Sequence, residues 1–287
     1  DRYRFIFSKK YTNTVNPIDK GYFDIEADTI NMKGDFPEPG ECPVNAITFI
    51  HKKTDTVYTM LLRNKNNPLI EKFENEDKQK IGIELNKLIE KAVGGYKSKV
   101  KFGLNNLKFK IRFFDEEIVL IKTLFDLINS LQPDFVLAWN MSFDMPYLIQ
   151  RIINLGYDPR DIICHPDIDK KYRKCVYNID EKSKNVFAER GDMALISSYS
   201  VYLDQMIQFA SRRKGQSDFS SFGLDAIGEK ECGIGKLDYS NITTNITELP
   251  YKDYKTFVFY NIVDVIVQVC IEHKTGDIDF VFAKDRK

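Results

Sequence analysis

Four acids and a tyrosine in this chain could do chemistry together, and three of the acids stand at unfavourable places. Asp24 and Glu26, in the stretch FDIEA, lie two residues apart. On a strand they would point to one side of the sheet. Two carboxylates side by side repel unless one is protonated or a cation bridges them. Tyr260 and Asp264, in YNIVD, lie four apart and would share one face of a helix. The residues around Asp264, Ile262-Val263 and Val265-Ile266-Val267, are apolar. Burying a charge among them without a partner is expensive. Asp144, in WNMSFDMPYL, sits at the seam between an apolar strand-like run and a helical pattern. Taken singly, each acid has an ordinary explanation. The strand pair could lie on an exposed face, and Asp264 could be solvated or salt-bridged. Asp144 could be a helix N-terminal acid, worth roughly 0.3–1 kcal/mol. Taken together, at intervals of about 120 residues, the acids would all be explained by one divalent-ion cluster. Oxygen ligands without His or Cys suit Mg²⁺ or Mn²⁺.

The elements that would carry these residues can be read from periodicity. Residues 21–26, 44–50 and 56–62 read as strands, the last two joined by the polar turn Lys52–Asp55. Residues 69–93 form a charged helical stretch ending at Gly94-Gly95, and 107–113 alternate as a strand. A helix over 115–131 repeats Ile118, Ile121, Leu124, Phe125, Ile128 and Leu131, stops at Pro133, and leads to a buried strand at 135–139. The next helix, 143–155, has Ser142 as its expected N-cap, Pro146 in its first turn and Gly156 at its end. Lys174–Asp180 and Asn185–Ala188 flank a polar tip and predict an inserted β-hairpin, about 174–188. A helix over 201–212, a polar loop Arg212–Ser220, and helices over 222–231 and 251–273 complete the chain. Strands mixed with helices in this order predict an α/β fold with a mixed sheet flanked by helices, of ribonuclease-H-like architecture.

Composition narrows the function. The chain has 287 residues, room for one large domain or two small ones, and 43% are hydrophobic. Lys plus Arg and Asp plus Glu number 42 each, so the basic surplus of a dedicated duplex binder is absent. No run of 18 apolar residues predicts a membrane span, and no secretory signal opens the chain. Five Cys without a CxxC pair and three scattered His give little support to zinc, disulfides or a histidine-based nucleophilic mechanism. Reduced thiols point to an intracellular, cytoplasmic protein. The chain opens at Asp1 without Met, which suggests a piece of something longer.

Asp24-x-Glu26, Asp144 and Tyr260-x-x-x-Asp264 resemble, in order and spacing, the three exonuclease motifs of family B DNA polymerases. These form the tyrosine-containing branch of the DEDD exonuclease superfamily. FPEP after the first motif, NAIT on the next strand and GIGKLDY before the last helix are similar to replicative polymerases of T-even-type bacteriophages. The resemblance covers roughly residues 20–275. It implies a metal-dependent 3′→5′ exonuclease domain that proofreads DNA, with residues 1–19 left from a preceding polymerase domain. Residues 276–287 would be a tail leading toward the polymerase region.

The resemblance also implies roles. Asp24, Glu26 and Asp264 would hold the ion carrying the attacking water. Asp24, helped by Asp144, would hold a second ion at the leaving 3′ oxygen. The Tyr260 hydroxyl would orient the water. Asn140 and Phe143 would touch the DNA strand at the mouth of the site. Partners would be a single-stranded 3′ end or primer–template and the other polymerase domains, with the domain itself a monomer. The hairpin would lie where related polymerases part primer from template. Two other readings remain open: a catalytically inactive DEDD fold serving as a DNA-binding or scaffold domain, and a free-standing exonuclease acting on RNA. Asp277-Ile278-Asp279 is a lone acidic pair in a tail-like segment, not a polymerase motif.

Overall fold

The computed structural model describes residues 17–32, 37–183, 186–215, 219 and 221–279. A six-stranded mixed sheet forms the centre, in the order β4-β3-β2-β1-β5-β8. Its strands are β1 (Lys20–Ala27), β2 (Val44–His51), β3 (Thr56–Leu62), β4 (Lys108–Phe114), β5 (Phe135–Ala138) and β8 (Val201–Asp204). β1, β2 and β3 form an antiparallel meander, while β4, β5 and β8 add in parallel. A separate hairpin pairs β6 (Cys175–Asn178) with β7 (Met193–Ile196). This is the ribonuclease-H-like mixed sheet that the element order predicts.

The sheet is flanked by α-helices: α1 (Pro68–Glu74), α2 (Lys78–Ala92), α3 (Tyr96–Lys101), α4 (Glu117–Leu131), α5 (Met141–Asn154), α6 (Pro159–Ile162), α7 (Gln205–Arg212), α8 (Leu224–Cys232), α9 (Leu249–Lys252) and α10 (Tyr254–Thr275). The sheet divides the interior in two. Phe23 and Ile25 point to the side of α4 and α5, into a core with Phe125, Tyr147 and Leu148. Tyr22 points the other way, into a core built on α2 and α10. The period-2 alternation of β1 therefore sends Asp24 and Glu26 toward α10.

Helix α10 is the one helix among the described residues long and apolar enough to cross a membrane, yet its apolar residues are enclosed by protein. Asp264, on this helix, is buried with them.

Several boundaries differ from expectation, each for a local reason. The helix expected over 69–93 is two helices, because Asp77 accepts from the backbone N–H of Gln79 and starts α2 afresh. The helix expected over 201–212 begins as strand β8, whose Val-Tyr-Leu-Asp run pairs with β5 before α7 starts. In the helix expected over 251–273, Asp253 ends α9 and caps α10 by accepting from Thr256 N–H. The hairpin closes later than expected: β6 pairs with Met193–Ile196, and a 3-10 turn occupies Phe187–Glu189. Its loop is tied by Asp192, which pairs with Arg190 and accepts from Asp180 N–H at 2.9 Å. The tip's Lys184, together with Asn185, lies outside the described residues, as do residues 1–16 and 280–287. Asp277 and Ile278 are buried, Asp277 against Arg213.

Candidate active site

Strand β1 and helix α10 bring the expected acids together. Carboxylate oxygens of Asp24, Glu26 and Asp264 lie within 4.8 Å of one another. Asp264 is buried, and its Oδ1 has no hydrogen-bond partner. A buried anion with an orphan oxygen is an unfinished arrangement. Its oxygen-only donors fit a divalent cation, which would take up the repulsion and the free lone pairs together.

Electrostatics show the same strain. Burial, then the charge of Asp264, pushes the Asp24 carboxyl up to about 7, against relief from Lys236 and a hydrogen bond from Asn261. Burial and then Asp24 and Asp264 raise Glu26 well above the carboxylate range. Asp264 itself is raised by burial, although Lys236 opposes the shift.

Asp144 stands in the first turn of α5, buried, outside the tight trio. Burial raises its pKa, and the charges of Asp24, Asp204 and Glu26 add to the rise. It is therefore within electrostatic reach of the cluster. Asn140 occupies the helix N-cap position expected of Ser142, and its side chain is exposed. Neither residue caps the helix by its side chain. Asp204, at the end of β8, does so from across the fold: it accepts from Ser142 N–H at 3.1 Å and from Ile207 N–H at 2.9 Å. One carboxylate thus starts two helices and fixes α5 against the sheet edge. Burial raises Asp204 to about 7. Phe143 is half-buried, its ring 5.3 Å from that of Tyr147.

Tyr260 lies one turn before Asp264 on α10. Burial and then Asp264 hold its phenol above its usual range, so it stays protonated at neutral pH. Lys236 donates to the Tyr260 hydroxyl at 2.8 Å and to Asp264 Oδ2 at 2.6 Å. Burial works against the Lys236 charge, but Asp264 and Tyr260 outweigh it and keep the ammonium protonated. The ring of Tyr239 meets that of Tyr260 edge-on, centroids 5.6 Å apart. GIGKLDY therefore supplies both a cation and a ring to this site.

The approach of that segment depends on close backbone contact. At Gly228, where α8 lies on α10, a Cβ would come 2.4 Å from the Ile234 carbonyl oxygen and 2.6 Å from Val267. Asp225, one turn earlier, accepts from Lys236 N–H at 2.7 Å.

Sequence reasoning singled out neither Lys236 nor three buried polar groups: Asp204, Asn261 and Gln268. For Asn261 and Gln268 a signal existed. Both interrupt the apolar run of α10, as Asp264 does.

Comparison with known proteins agrees with this geometry. Residues 3–227 match the model for "DNA polymerase family B, exonuclease domain". A DNA-directed DNA polymerase of Escherichia phage RB69 is 27% identical over 261 residues, 88% of this chain and 25% of the polymerase. That of Enterobacteria phage T4 is 24% identical over 258 residues, 88% of this chain and 26% of the polymerase. The chain thus spans about a quarter of the length of these relatives. Motif spacing, the sheet that aims the acids and the match over most of its length lead to one conclusion: the chain belongs to the exonuclease-domain family of the family B DNA polymerases.

Proposed function

We propose that this domain removes nucleotides one at a time from the 3′ end of single-stranded or frayed DNA, and that it proofreads for a longer polymerase. The observation that carries this reading is the trio Asp24, Glu26 and Asp264, with Tyr260 and Lys236 beside it. Asp24, Glu26 and Asp264 would hold one divalent ion, and Asp24 with Asp144 a second; Mg²⁺ and Mn²⁺ suit these oxygens. When bound, such a pair activates water and stabilises the leaving 3′ oxygen. Tyr260 stays protonated and orients the water, while Lys236 donates to its oxygen. Asn140, exposed at the start of α5, and the half-buried Phe143 are proposed contacts for the strand, Phe143 by stacking on a base. The nuclease body takes in about residues 20–275. The polymerase site, the primer–template and the other domains belong to the longer protein, and the domain acts as a monomer.

The test uses single-stranded DNA labelled at one end, with Mg²⁺ and with Mn²⁺. A 3′ label is released at once as a mononucleotide, while a 5′ label stays on a shortening ladder. Blunt matched duplex is cut more slowly, since unpairing costs about 1.4 kcal/mol per base-pair step. Internal cleavage of a closed circle, or equal rates on duplex and single strand, would refute the reading. RNA oligonucleotides in parallel separate the deoxyribonuclease from a ribonuclease.

Tyr260→Phe tests the role given to the hydroxyl. Nucleotide release falls about 10²-fold, the usual loss when a positioned proton-handling group is removed. Stabilisation by Mn²⁺ in a thermal melt stays as in the parent, because the phenol is not a ligand. Loss of that stabilisation would make Tyr260 part of the ion site instead.

A further inference from the structure

Asn261 is fully buried on α10, between Tyr260 and Asp264 in sequence. Its Nδ2 donates to Asp24 Oδ2 at 3.0 Å. Its Oδ1 has no partner. Leaving a buried amide oxygen unpaired costs free energy, so the other end of the amide holds the group in place. Turning the amide over would set its oxygen against the Asp24 carboxylate.

Seven residues on, and so on the same face of the helix, the buried Gln268 donates to the Phe23 carbonyl at 3.3 Å. The backbone carbonyl of Gln268 accepts in turn from Gln205 at 2.9 Å. Two amides of one helix face thus grip neighbouring residues of β1, Phe23 by its backbone and Asp24 by its side chain. Asp264 lies between these two grips. The register that sets Asp264 opposite Asp24 and Glu26 is written in uncharged groups.

We propose that Asn261 is a positioning residue for cation binding, resting on the exonuclease reading above. Its amide donates to Asp24 without neutralising it, holds that carboxylate beside Glu26 and Asp264, and leaves the remaining oxygens for a divalent ion. A lysine here would hold the acids more strongly but would compete with the ion by its charge. A neutral amide offsets part of the repulsion and does not compete.

Asn261→Leu keeps the shape and removes both donors. Mn²⁺ binding is measured without DNA, by electron paramagnetic resonance of free Mn²⁺ and by metal-dependent melting. Binding weakens at least tenfold, about 1.4 kcal/mol. The KM for single-stranded DNA at saturating Mn²⁺ changes less than twofold, and kcat under those conditions recovers most of the parental value. If the Leu variant does not fold, Asn261→Ser serves in its place, with the same loss expected because serine is too short to reach Asp24. Parental Mn²⁺ affinity in either folded variant overturns the proposal. Failure of the parent to bind Mn²⁺ at all overturns the exonuclease reading itself, a distinguishable result.

Discussion

Asp24→Ala abolishes nucleotide release, by about 10³-fold or more, and also removes most of the stabilisation that Mn²⁺ gives the parent. Asp24 is the only acid proposed for both ion positions, so its loss empties both. A ligand that binds the native state alone stabilises it by about 2.7 kcal/mol at a hundredfold excess over Kd. In a chain of this size that is a rise of about 5 °C in Tm. The pH dependence follows from the raised carboxyl. In the folded metal-free protein Asp24 titrates at about 7, against 3.8 ordinarily. Between those values the folded state keeps a proton that the unfolded chain has released. Metal-free stability therefore falls as pH rises through that window. The variant lacks this penalty, so without metal it is more stable than the parent at pH 8, and the difference closes toward pH 4. Melts with EDTA and with Mn²⁺ at pH 5 and pH 8, beside nucleotide-release assays, measure all of this. Near-parental activity in the variant would end the two-ion account.

Lys236→Met produces the second large effect, a fall of about 10²-fold in rate with a changed pH profile. Lys236 opposes the burial-driven rise of Asp264 and donates to Tyr260. Without it, Asp264 protonates more readily. The acidic limb of the pH–rate profile then moves to higher pH. A Lys236 variant with the parental limb and rate would show that the ammonium only decorates the rim.

Most of the fold was legible because β1, β2, β3, α4 and β5 are strongly periodic and buried on known faces. The acids of β1 and α10 were legible for a different reason: an ionisable group in an apolar run demands a partner. The misplaced boundaries share a cause. Asp77, Asp253 and Asp204 each begin a helix, and a capping aspartate inside a charged or apolar stretch does not declare itself. β8 was hidden since four residues are too few to show a period, and only pairing with β5 makes them a strand. Lys236 was invisible as chemistry because its partners are 24 and 28 residues away and its own segment has no regular structure. Asn261 could have been found, since the argument applied to Asp264 applies equally to a buried amide.

The glycine at the crossing of α8 and α10 has a consequence for how this site can vary. Ile234 and Val267 leave no room for a β-carbon at Gly228. Any side chain there must lever α8 away from α10, and Lys236 hangs from α8 through Asp225. The lever moves the ammonium relative to acids that stay where the sheet holds them. A methyl group at a position without a single titratable atom would thus act as a gear on the reaction, slowing it by degrees while every acid remained in the sequence.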